Sequence, residues 1–281
     1  MKSLLLLLVS FFLFCSCQNK SELAKEELID LGFSFTHKDF IEQVDDNNAK
    51  AVGLYADALI DLEKEEQMGT PLLRAIWFER YEVAKVLVDK GANIHALSRT
   101  GGKPPLYYAM LHSSQSAKDI AFVEYFLLRG VDPNLCGGKS MGGYPMYTTP
   151  LMDTYNEDEV VWARLIKLLL SHGAEINYVT PNRNTVLDDV LSSYAKDVDT
   201  DKVIRLLKAN GAKTYKELIA EKGLVELDED LNSKIDPLSL KVFELKSSGA
   251  KKNRDKIYEL KGSIHSMLVE YSKLINSKLS D

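Results

Sequence analysis

Cysteine is scarce in this chain: Cys15, Cys17 and Cys136 are the whole set. That count excludes a framework of disulfide staples, so the fold must be held by packing. Positive charge is not in excess either. The net charge is -6, whereas a general nucleic-acid binder shows a basic face or stripe. The signatures of common chemistry are also missing. There is no CxxC pair, no Gly-x-Ser-x-Gly elbow and no complete phosphate loop. Gly137-Gly138-Lys139-Ser140 ends like such a loop but lacks the earlier glycine at the required spacing, and no apolar strand leads into it. The five histidines, His37, His95, His112, His172 and His265, are scattered, with no pair at metal-binding helical spacing. Acid pairs such as Asp188-Asp189 read as solvated surface. The chain is expected to be non-catalytic, to need no cofactor and no metal, and to have no nucleic-acid partner.

Long apolar runs are limited to one. Lys2 is followed by Leu4 to Phe14, broken by Ser10. This is short of the ~20 residues a membrane-spanning helix needs and fits the apolar centre of a secretion signal. Phe14-Cys15-Ser16-Cys17 resembles a bacterial lipobox. The resemblance implies a signal peptide over 1–16, acylation of Cys17, and a lipid-anchor linker over 17–31. Gln18 after the cysteine implies an outer-membrane lipoprotein facing the periplasm or the surface. An ordinary signal peptide cut nearby is the alternative.

The whole chain has an ordinary globular composition, 45% apolar and 27% charged, and beyond the N-terminal run it repeats. Thr70-Pro71-Leu72, Pro104-Pro105-Leu106, Thr149-Pro150-Leu151 and Thr185-Val186-Leu187 each read as a helix start. Threonine caps an orphan amide, proline suits the first helical position and leucine begins the buried stripe. Roughly one helix pair later, an apolar run closes on Gly91, Gly130, Gly173 or Gly211, where glycine can take the left-handed conformation after a helix end. In the Thr70 repeat the spacing predicts one helix over Pro71–Phe78 burying Leu72, Ala75 and Ile76. A second, near Tyr81–Lys90, buries Val83, Val86 and Leu87. Short polar links follow, Ala92-Asn93-Ile94, Asp132-Pro133-Asn134 and Glu175-Ile176-Asn177.

These residues resemble the ankyrin repeat. Thr70 and Pro104 stand 34 residues apart, Pro104 and Thr149 45, and Thr149 and Thr185 36; the excess reads as insertion. A fainter copy over 32–66, from Phe35 to Tyr55, reads as an N-terminal capping repeat. The resemblance implies an all-α ankyrin-repeat solenoid of about five helix-turn-helix units over 32–214, with a C-terminal helical segment over 215–281. In that segment Tyr215–Lys222 reads as a short closing helix and Gly223–Pro237 as an acidic irregular stretch. Ile257, Leu260, Ile264, Met267, Tyr271 and Leu274 form a heptad-like stripe on a helix within 253–280. That helix either packs back on the repeats or forms a short coiled coil.

Ligands of proteins like this bind the hairpin tips and the exposed edge of each first helix, as the resemblance implies. Trp77 and Phe78 align with that edge in one repeat, Leu111 and His112 in the next, then Asn156 and Glu157, then Ser192 and Ser193. Trp77 and Phe78 either anchor a partner or fill the gap between helices. The insertion Cys136–Thr148 carries four glycines together with Met141, Tyr144, Met146 and Tyr147, and insertions project on one face of a repeat array. Arg99, Lys103, Asn182 and Arg183 lie on adjoining tips as a polar rim. The expectation is a secreted, lipid-anchored protein that binds an unidentified protein in the bacterial envelope, as an inhibitor or immunity-type protein. The alternative is a scaffold acting through repeats and C-terminal helix.

Overall fold

The computed structural model describes residues 20–98, 102–111, 117–137, 147–154, 158–192, 200–247 and 253–280. Among them the secondary structure is helical, with two isolated antiparallel bridges, Glu66 with Gly69 and Gly137 with Thr148. The chain divides into two compact units, Met1–Val131 and Asp132–Asp281.

The first unit stacks helix pairs. Residues 20–30 are helical (α1). Then follow α2 (His37–Asp45) with α3 (Ala49–Asp57), α4 (Pro71–Trp77) with α5 (Tyr81–Asp89), and α6 (Pro105–Leu111) with α7 (Ala117–Leu128). The helix starts behave as their sequence requires. Thr36 accepts from the Asp39 amide and Thr70 from the Leu73 amide, with Pro71 opening α4. Leu72, Ala75, Ile76, Val83, Ala84 and Leu87 are buried, each fully buried aliphatic chain contributing about 1.5–3 kcal/mol. Ala75 and Ala109, 0 % and 2 % exposed, sit where α4 packs on its neighbours. Gly91 has φ 92° and closes α5 through Ala92 N–H to Leu87 O at 2.9 Å.

Within the expected linker over 17–31, the described residues 20–30 are helical. Ala24 and Leu28, four apart on one face of α1, are buried. Gly32 (φ 84°) ends the helix through Phe33 N–H to Leu28 O at 2.9 Å. This is the ending of a repeat's second helix, so α1 is a half-repeat. Lys50–Glu27 and Lys20–Asp57 pairs, both at 2.8 Å, tie it to α3.

In the second unit, Thr149-Pro150-Leu151 leads, among the described residues, into a 3-10 turn, Met152–Thr154 (η1), with Leu151 buried as expected. Then come α8 (Glu159–Ser171), α9 (Val186–Ser192), α10 (Thr200–Ala209) and α11 (Tyr215–Glu221). Gly173 and Gly211 have φ 89° and 85°. The polar links lock repeat to repeat. Asn134 Nδ2 donates to Gly173 O and its Oδ1 accepts from Glu175 N–H. Asn177 does the same with Gly211 O and Lys213 N–H.

The stretch Gly223–Pro237 is not irregular. From Val225 on it belongs to α12 (Val225–Ser247), which has Pro237 inside it and packs antiparallel on α13 (Arg254–Ser280). Leu227, Leu231, Ile235, Leu238 and Val242 recur at helical spacing. Of these, Leu231, Ile235 and Val242 are buried. Tyr271 and Ile275 of α13 join Val179, Tyr215 and Leu218 in one core. The C-terminal helix therefore packs on its own preceding helix and on the last repeats.

Candidate protein-binding surface

The α4 edge in the first unit is built on a salt bridge. Asp45 at the end of α2 receives Arg74 in two-pronged fashion, Nε to Oδ1 at 2.6 Å and Nη2 to Oδ2 at 2.7 Å, and the Asp45 carbonyl accepts from Arg80. Paired geometry of this kind fixes orientation as well as adding energy. The Arg74 guanidinium lies 5.3 Å from the Phe78 ring centroid. Phe78 and Trp77 are 40% and 43% exposed, so neither turns fully inward.

Trp77 meets Tyr108 of α6 edge to face, with centroids 5.6 Å apart and planes at 69°. The Tyr108 hydroxyl donates to Ser98 Oγ at 2.8 Å, which ties the ring to the hairpin loop. Leu111, one turn further along α6, is half exposed. Gln67, Met68, Leu73, Trp77 and Tyr108 enclose a cavity of about 130 Å³. Lys103 lies over the neighbouring Tyr107 ring at 4.5 Å.

In the second unit Tyr147 stacks on His265 of α13, with centroids 5.2 Å apart and planes 8° from parallel. Its hydroxyl is 2.8 Å from His265 Nε2. Gly137 and Thr148 exchange backbone hydrogen bonds at 3.2 and 3.3 Å, so the insertion leaves and returns at one point. A cleft of about 290 Å³ lies beside it, lined by residues that include Cys136, Tyr147, Tyr178 and Lys273. Burial pushes the Tyr178 hydroxyl above its ordinary range.

Arg183 is committed within the unit rather than standing on an open rim. Its Nη1 donates to Asp228 and Asn232 of α12 at 3.2 and 2.5 Å. Asp228 also receives the Tyr215 hydroxyl, and Tyr215 lies 2.9 Å from the Tyr271 hydroxyl. Desolvation, then the hydrogen bonds to Asp228 and Tyr271, raise the Tyr215 pKa strongly. Val179 on the same tip uses its N–H on Asn276 and its carbonyl on Ser272 and Asn276.

Cys17, Arg99, His112, Tyr144, Met146, Asn156, Glu157 and Ser193 lie outside the described residues. The structure brings Trp77 and Phe78 to one edge and places Tyr147 and Arg183 against the C-terminal hairpin. Sequence reasoning missed Tyr108, Met68 and Gln67 beside Trp77. The signal for Tyr108 was its place three residues before Leu111 on the same helix. Among the described residues, no three His, Cys, Asp or Glu side chains cluster as a metal site.

No protein-family model matches the chain. The chain is 28% identical over 158 residues to a putative ankyrin repeat-containing protein of Treponema pallidum (strain Nichols), a match covering 56% of this chain and 48% of that protein. The chain thus spans about half the length of that relative. Among solved structures it is similar to an ankyrin repeat domain from Acinetobacter baumannii AYE. That similarity covers 62% of this chain and 82% of the other at 19% identity, with a TM-score of 0.48.

Proposed function

We propose that this ankyrin-repeat protein is a secreted, lipid-anchored, non-catalytic binding protein of the bacterial envelope. In this reading it is acylated at Cys17 and acts as an inhibitor or immunity-type protein. Repeat arrays present extended surfaces for binding other proteins. The single observation that supports the binding reading most is the Trp77–Phe78 edge: two large aromatics, half exposed, Phe78 beside the Arg74 guanidinium that Asp45 holds and Trp77 against Tyr108. Rigid aromatic anchors of this kind dominate interface energies.

The test is in-cell crosslinking to identify the partner, followed by affinity measurement with Trp77→Ala and Phe78→Ala. At least one is expected to weaken the complex by about 2 kcal/mol or more; if both bind as the parent does, the surface is wrong. Mass analysis of the processed N-terminus, beside Cys17→Ser, tests the anchor separately. A scaffold role is the second reading. It is favoured by Leu240 and Phe243, 60% and 67% exposed on α12. Deletion of 253–281 would remove buried Ile275, so that reading is tested with Phe243→Glu instead.

A further inference from the structure

We propose that the cavity between Trp77 and Tyr108 receives one uncharged apolar side chain, of leucine or phenylalanine size, from the protein partner. The inference rests on the protein-binding reading above and names what its central contact recognises.

Size sets the first limit. The cavity holds about 130 Å³, and an apolar protein cavity of ~150 Å³ accommodates benzene. A branched aliphatic or a phenyl group fits, and an indole does not. Chemistry sets the second. Leu73, Met68 and the two rings are apolar walls, and no charged side chain lines the space. A charged occupant would be buried without a counter-ion, which is costly. The Tyr108 hydroxyl is engaged by Ser98. Gln67 lines the cavity and is exposed, so its amide is open to a partner's backbone. Accommodation sets the third. Met68 is half-buried, and a thioether chain adapts to differently shaped occupants. A cavity walled by a half-exposed tryptophan on a rigid repeat fits the geometry of an interface anchor site.

The chain has two tryptophans, which makes the test direct. Trp162 is buried, 2 % exposed, with its Nε1 donating to Thr154, and serves as the internal control. The full chain is titrated with N-acetyl-leucine methylamide, N-acetyl-phenylalanine methylamide, N-acetyl-aspartate methylamide and benzene, while the two indole N–H signals and the Met68 methyl signal are followed by NMR. The expected result is a saturable shift of Trp77 and Met68 with the leucine or phenylalanine derivative. Trp162 stays fixed, and the aspartate derivative binds at least about tenfold more weakly. Met68→Phe, which takes up the cavity with a ring of the size that fits it, is expected to abolish the Trp77 shift, and Trp77→Ala is expected to abolish the Met68 shift.

Equal binding of the aspartate derivative overturns the proposal, as does the absence of any saturable shift. Benzene binding with neither amino-acid derivative bound would make the cavity a site for a free small molecule and also overturns it. Failure of these titrations leaves a flat Trp77 contact intact. Failure of Trp77→Ala and Phe78→Ala to weaken the partner complex, with the titrations succeeding, would instead remove the protein-binding reading.

Discussion

Leu59 holds in the first repeat the backbone conformation that Gly91 holds in the second. Leu59 has φ 66° and Gly91 φ 92°. Each is followed by the same helix-ending bond: Ile60 N–H to Tyr55 O at 3.0 Å, and Ala92 N–H to Leu87 O at 2.9 Å. A left-handed conformation costs a non-glycine residue about 1–2 kcal/mol, and the Leu59 side chain, 74% exposed, recovers little by burial. Leu59→Gly is therefore expected to stabilise the protein, by up to about 1 kcal/mol after the added freedom of the unfolded chain is offset. Gly91→Ala is expected to lose about 1 kcal/mol, because a Cβ at Gly91 meets no atom within 4 Å and only the conformation resists it. Urea denaturation of the two variants checks both signs.

Asn177 joins consecutive repeats with two hydrogen bonds, at 3.0 Å to Gly211 O and 2.8 Å from Lys213 N–H. Asn177→Ala leaves both backbone groups without that partner. The expected loss is about 1–3 kcal/mol, read as a lower urea midpoint. Asn177→Asp is expected to keep the bond from Lys213 N–H and lose the one to Gly211 O, giving a smaller loss.

Much of this was legible in the sequence. Thr70, Pro71 and Gly91 act through backbone geometry that is local, so their spacing alone predicted α4, α5 and the turn between repeats. Two elements were not. Residues 20–30 carry only a half-repeat, without a Thr-Pro-Leu start, and the signal was confined to Ala24, Leu28 and Gly32. The start of α12 was hidden by its acidic run and by Pro237, which costs a helix a hydrogen bond. Tertiary burial of Leu231 and Ile235 against α13 overrides that local penalty. For the candidate surface, the exposed edge of Trp77 followed from repeat alignment. Tyr108 shares a helix face with Leu111, but Met68 beside Trp77 depended on how α4 meets the preceding turn, which no local pattern encodes. Arg183 looked like a tip residue and is one, but its partner Asp228 lies 45 residues on.

Tyr55 gives a pH prediction. Its side chain is fully buried, its hydroxyl donates to Ser34 O at 2.8 Å, and desolvation raises its pKa to about 12. The folded state favours the neutral phenol. The associated stability is complete below the unfolded value of about 10 and is lost as pH rises from there toward about 12. Stability measured across this window is expected to fall, and to fall less steeply in Tyr55→Phe, although that variant starts lower for want of the Ser34 bond. An equal slope in the two proteins would place the alkaline sensitivity elsewhere.

The Trp77–Phe78 edge is proposed to face a protein partner. The most direct measurement is photocrosslinking in the native cell from a benzophenone amino acid placed at position 78, at position 111, or at position 128 on α7. Phe78, Leu111 and Leu128 are all exposed, at 40%, 50% and 70%, so exposure alone does not separate them. One recurring protein adduct is expected from positions 78 and 111, and none from position 128. Adducts from all three positions alike, or from position 128 alone, would contradict the proposal.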